Sequence, residues 1–339
     1  MKKFFLILFF SFISIDLIFG GWFDKNNLGA YMRNNRMKNH IKTWEYKNVK
    51  ENFYFKRNYY GFRGNDIKLS KIDAIILGGS TIEERLKPEK FTITEFLNNK
   101  VKENGYTFTI TNAGVQDQST IGHVKNFKSW FFKLKDFSPK IILFYVGTYD
   151  TKFLGKSNEE QIDSGTAITR EKNEIYYDNI KSRSFFYDKI RFLKYKFRPK
   201  RNPVLIDGNS YNDAKYINYE TAINNYDVNK LSLKYKKNII NYLKRIDKLY
   251  VYSKRLNSAP VFITNIHSKG YLEDIFILNY SLISHCKRES YNCIDLARKL
   301  DSKPEYWTLE KHTTKVGAKT IANIIMLDLK KIIIKDKIF

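Results

Sequence analysis

Ile72-Asp73-Ala74-Ile75-Ile76-Leu77-Gly78-Gly79-Ser80-Thr81 is a short apolar run that stops at two glycines and two hydroxyl residues. Ile72 to Leu77 has no helical spacing and is bounded by glycine, so it reads as a buried strand of a sheet covered on both faces. The pattern recurs downstream. Tyr106 to Thr111, Lys140 to Val146, Pro260 to Asn265 and Cys293 to Ala297 read as further strands. Phe91 to Asn104, Ser119 to Phe137, Val228 to Leu256, Leu272 to Cys286 and Lys315 to Lys331 read as helices. Alternation of this kind predicts right-handed crossovers and an α/β fold, a mostly parallel sheet between two helical layers. Residues 151–227, rich in Asn, Tyr and charge without clean periodicity, read as an insertion, and no internal repeat is visible.

The chain has 339 residues, enough for one large or two ordinary domains at roughly 150 residues each. A hydrophobic fraction of 43% argues against disorder, and a mean hydropathy of −0.47 excludes a polytopic membrane protein. Sixty Lys and Arg against 35 Asp and Glu give a net charge of +25. That charge suits an anionic partner, or is a solvated surface in a chain crowded with Lys, Asn, Ile, Tyr and Phe.

Residues 1–23 begin Met1-Lys2-Lys3 and continue as an apolar run interrupted by Asp16 and a few serines, as a signal anchor or export signal does. Residues 24–58 form an N-terminal extension to the main domain, expected over 59–335. Export implies a protein held outside the cytoplasm at the membrane, or secreted if the signal is cleaved, and it argues against nucleic acid as a partner. The two cysteines, Cys286 and Cys293, close a small loop in an oxidising compartment or remain free core thiols. With no CxxC spacing, a metal site is not expected.

In open parallel sheets the chemistry lies at the carboxyl ends of the strands. Gly78-Gly79-Ser80-Thr81 follows the first strand, Asn112-Ala113-Gly114-Val115-Gln116-Asp117-Gln118-Ser119-Thr120 the second and Gly147-Thr148-Tyr149-Asp150 the third. Glu310-Lys311-His312-Thr313-Thr314-Lys315-Val316-Gly317 precedes the last helix. A serine at a strand-to-helix turn presents its hydroxyl at the sheet edge with backbone N–H groups beside it, as an acyl-transfer nucleophile requires, and a late histidine supplies a base.

Taken in order, Gly-Gly-Ser, Asn-Ala-Gly-Val, Gly-x-x-Asp and His-Thr-Thr-x-x-Gly resemble the four blocks of the SGNH (GDSL-type) hydrolase superfamily. Tyr60-Gly61-Phe62-Arg63-Gly64 resembles the lead-in of its membrane-anchored bacterial members. The resemblance covers about residues 59–150 and 258–330 and implies a flavodoxin-like sandwich. It implies Ser80 as nucleophile, His312 as general base, and an oxyanion hole formed by Ser80, Asp117 and Tyr149. Here Asp117 stands where the family has glycine, Tyr149 where it has asparagine, and Leu309 where it has the aspartate three before the histidine, a role left to Glu310. Gly79, Asn112, Asp150 and His267 are candidate substrate contacts, and His123 is expected to be structural.

The implied activity is a serine ester hydrolase or O-acyltransferase, without cofactor, acting on acyl esters, acetyl above all, of an extracytoplasmic carbohydrate or lipid. The alternative is a catalytically degenerate relative that binds a glycan or envelope partner. Lys189 to Arg201, with seven basic residues among aromatics, reads as a solvated insertion or a contact with the membrane surface.

Overall fold

The computed structural model describes residues 2–23, 40–46, 49–55, 57–58, 60–85, 87–159, 180–181, 183–187, 189–190, 193, 216–300, 303–309 and 312–339. Helix α1, Lys2–Phe19, is followed by an antiparallel hairpin of β1, His40–Tyr46, and β2, Val49–Phe55. The central sheet starts at β3, Ala74–Leu77, which runs into a one-turn helix α2, Ser80–Glu83. Then come α3, Ile93–Glu103; β4, Ile110–Asn112; α4, Thr120–Ser129; and β5, Ile141–Val146. Beyond the insertion lie α5, Tyr219–Asn225; α6, Val228–Lys234; α7, Lys236–Arg255; and β6, Ala259–Thr264. The chain closes with α8, Glu273–Glu289; β7, Asn292–Ile294; α9, Leu296–Lys299; a hairpin of β8, Trp307–Leu309, and β9, His312–Thr313; and α10, Lys315–Asp336.

The five-stranded sheet has the order β4-β3-β5-β6-β7, every neighbouring pair parallel. That is the doubly wound order in which the switch point falls between the first and third strands. Period-2 alternation splits the core in two. Ile76, Leu143 and Val261 face α3 and α10, while Ile75, Ile142, Phe144 and Phe262 face α4, α7 and α8. Both layers are dry, which is why each strand is apolar at nearly every position.

Several boundaries differ from the sequence reading for local reasons. The helix expected over Ser119–Phe137 ends at Ser129, because Trp130 leaves the helical region and its indole N–H donates to Tyr60 O at 2.7 Å. The long helix expected from Val228 to Leu256 breaks at Tyr235, whose hydroxyl donates to Glu273 Oε1 on α8 at 2.9 Å. The second strand, expected over Tyr106–Thr111, pairs with β3 only over Ile110–Asn112. The last expected strand ends at Ile294, since Asp295 accepts from Arg298 N and opens α9 instead. Cys286 and Cys293 are joined in a disulfide, which ties the end of α8 to β7. Most of the insertion, the Glu310 position and much of the Lys189–Arg201 stretch lie outside the described residues.

His123 on α4 is 1% exposed, and its Nδ1 has no hydrogen-bond partner among the described residues. Burial pushes its pKa down to about 3. The unfolded chain therefore binds this proton near pH 6.5 while the folded chain refuses it, so stability is complete above that pH and falls as pH drops towards 3. By pH 5 the loss from this one group is about 2 kcal/mol. We expect His123→Gln to flatten the decline in denaturant midpoint between pH 7 and pH 5; an unchanged slope would place the acid sensitivity elsewhere.

Candidate active site

Gly78 and Gly79 bring β3 into α2 through a turn that no larger residue fits. A Cβ on Gly78 would stand 2.4 Å from Ile82 Cγ1, and one on Gly79 2.4 Å from Tyr149 Cε2. Ser80, the first residue of α2, is 9% exposed. Its Oγ lies 2.7 Å from His312 Nε2 and 2.6 Å from Tyr149 OH. Residues 232 apart in sequence thus share one hydrogen bond. His312 sits on β9, in a hairpin preceding α10 rather than on the helix itself.

Tyr149 follows β5 and is packed against Gly79. Burial pushes its phenol up to about 12; hydrogen bonds from Ser80 pull the other way, and the Asp117 carboxylate beside the same hydroxyl raises it further. The phenol therefore keeps its proton at neutral pH. It has one proton and faces two acceptors, Ser80 Oγ and the Asp117 carboxylate. Asp117 holds φ 59°, the left-handed region in which glycine is at ease.

Two other expected contacts brace the scaffold. Asn112 is 1% exposed: its amide donates to Ile82 O at 2.6 Å and Thr94 Oγ1 at 3.0 Å, and its Oδ1 accepts from Gly114 N at 2.9 Å. It pins the turn after Ser80. Asp150 is 2% exposed; its carboxylate accepts from Thr120 N at 3.2 Å and from Thr120 Oγ1, and it faces Arg245 Nη2 at 3.5 Å. It takes the first backbone N–H of α4, whose N-cap is Ser119. His267 lies buried in the turn His267–Gly270 after β6.

A set of buried charges that the sequence reading missed lies beside Ser80. Arg57 donates to Gly61 O, Gly114 O and Glu83 Oε1, the last at 2.7 Å. Arg63 donates to Glu83 O, Glu84 O and Lys87 O. Burial works to raise the Glu83 carboxyl, but Arg57 and Arg85 hold it below the usual carboxylate range. Lys87 pairs with Glu84 and donates to Thr313 Oγ1 at 2.7 Å. Thr313 also donates to Glu84 Oε1 at 3.3 Å, and Glu84 Oε2 accepts from Ile93 N at 2.6 Å. Burial pushes the Glu84 carboxyl up, against the pull of Lys87 and Arg63. The loop carrying Ser80 and the hairpin carrying His312 are therefore bolted together one residue past the histidine. The signal in the sequence was the charge run Glu83-Glu84-Arg85-Leu86-Lys87, placed where the chain must stay close to a buried sheet edge.

No protein-family model and no curated protein matches this sequence. Among solved structures, the chain is similar to a lipolytic protein of the G-D-S-L family from Desulfitobacterium hafniense, with TM-score 0.43 and 10% identity over 76% of this chain and 99% of that one. It is similar to a psychrotrophic esterase from Pseudoalteromonas at TM-score 0.42 and 10% identity, covering 76% and 97%. An acetylxylan esterase from Geobacillus stearothermophilus gives TM-score 0.43 and 9% identity, covering 75% and 92%. No chemistry transfers at that distance. What the site can do follows from the geometry around Ser80.

Proposed function

We propose that this chain is an SGNH-type serine ester hydrolase or O-acyltransferase, working outside the cytoplasm on acyl esters, acetyl above all, of a carbohydrate or lipid. One observation carries the reading: the Ser80 hydroxyl is held at hydrogen-bond distance between a histidine nitrogen and a tyrosine hydroxyl. His312 takes the serine proton as Ser80 Oγ attacks the ester carbonyl, and returns it to the departing alkoxide. Ser80 N–H, Asp117 N–H and the Tyr149 hydroxyl receive the oxyanion. The acyl-enzyme then passes its acyl group to water or to a sugar hydroxyl. The Cys286–Cys293 disulfide and the apolar N-terminal helix support a site of action in an oxidising compartment.

The test is reaction of the purified full chain with a serine-directed fluorophosphonate. We expect wild type to label, Ser80→Ala to be silent and His312→Ala to label about 10²–10⁴-fold more slowly, the usual range for a lost general base. Folded wild type that does not label would sink the proposal. It would favour a binding protein built on the same cleft, a reading that the Asp117 carboxylate beside the oxyanion position supports. Release of acetate from acetylated oligosaccharides against transfer to a sugar acceptor separates hydrolase from transferase.

A further inference from the structure

No helix among the described residues is long and apolar enough to cross a membrane. Helix α1 nevertheless buries no residue, and Phe5, Ile7, Phe9, Phe10 and Ile18, which point in different directions around it, are each more than half exposed. A helix apolar on all sides is unsuited to water. Asp16 is the anomaly in this run, and the structure explains it. Its carboxylate accepts from Trp22 Nε1 at 2.9 Å, from Ser184 Oγ at 2.9 Å and from Phe186 N at 3.2 Å. Gly21 N donates to Arg183 O at 2.7 Å, Arg183 Nη1 donates to Trp22 O at 3.0 Å, and Phe186 stacks on Phe12 with ring centroids 3.8 Å apart. A piece of the insertion is thus fastened to the end of α1.

That piece has the composition of a surface-seeking segment. Tyr187, Ile190 and Leu193 recur at a spacing of three and are exposed. From Ile180 to Arg201 the sequence holds nine Lys or Arg against one acidic residue, Asp188. We propose that α1 and the segment fastened to it, residues 183–187 with 189 and 190, form one membrane-seated unit on an anionic phospholipid bilayer. The end of α1 before Asp16 enters the lipid. Asp16 and Trp22 mark the headgroup level, with Arg183 and Lys189 at the lipid phosphates. In this arrangement α1 is a retained part of the working protein, because its removal would strip Ser184 and Phe186 of their acceptor.

The test uses the full chain, produced in a host that exports it, and two readings. Intact mass is expected to retain residues 1–23. Flotation with vesicles of phosphatidylglycerol and phosphatidylcholine is expected to exceed flotation with phosphatidylcholine alone, and Arg183→Glu with Lys189→Glu to lower the anionic-vesicle affinity at least tenfold while leaving the circular dichroism unchanged. Ile190→Ser with Leu193→Ser serves as a second variant, expected to weaken binding to both vesicle types. Cleavage between Gly20 and Phe23, or flotation indifferent to both double variants, would overturn the proposal. Neither reading depends on whether Ser80 is active.

Discussion

Tyr149→Phe is expected to lower kcat by about 10²–10³ with little change in KM, the loss typical of one oxyanion donor. The ring keeps its packing on Gly79, so the substitution removes the hydroxyl and little else. On the proposed reading the hydroxyl, 2.6 Å from Ser80 Oγ, turns to the carbonyl oxygen as it becomes negative, and so contributes to the transition state more than to substrate binding. Asp117→Gly should move the rate the other way. It removes the competing acceptor for the phenol proton and places the residue best suited to φ 59° in the turn. Steady-state kinetics on a chromogenic acetate ester measures both. A Tyr149→Phe enzyme as fast as wild type would show that the hydroxyl merely fills space beside the serine.

The second large effect is expected at Lys87, which is 4% exposed. Lys87→Met leaves Glu84 buried without its nearest cation, and breaking a buried pair from one side costs about 3–5 kcal/mol. The same change removes the shorter of the two hydrogen bonds that Thr313 makes to the loop after Ser80, leaving only its 3.3 Å bond to Glu84, so the hairpin holding His312 is tied more loosely. A shift of about 1 Å at that hairpin is worth on the order of 10² in rate. Adding Glu84→Gln should restore most of the stability, read from denaturant midpoints, because no charge is left unpaired. It should leave the fluorophosphonate labelling rate low. Full recovery of labelling in the double variant would show that the pair acts on stability alone.

The sheet was legible in the sequence because its strands are buried on both faces, and unbroken apolar runs such as Ile141–Val146 have few other readings. Ser80, Tyr149 and His312 were legible because each lies just past such a run or just before a capped helix. Thr314, for instance, accepts from Gly317 N at 3.1 Å to start α10. The β8–β9 hairpin was not. Its strands are too short to show a period, and only tertiary contact keeps them paired. The bracing by Asn112 and Asp150 was hidden for a related reason: a polar residue at a strand end looks alike whether it faces substrate or braces a turn. Burial decides between these, and composition does not report it. The Lys87–Glu84–Thr313 network was hidden in the same way, since a run of charges normally marks a solvated face.

The separation between Ser80 and His312 also orders events in time. At about 5–20 residues per second, a ribosome takes roughly 10–50 s to travel from the codon of one to the codon of the other. Throughout that interval Ser80 exists without the histidine it is hydrogen-bonded to, and Lys87 without the threonine that completes its tie. On the proposed reading, a chain that ends before His312 is expected not to label with a fluorophosphonate, since Ser80 then has no histidine beside it.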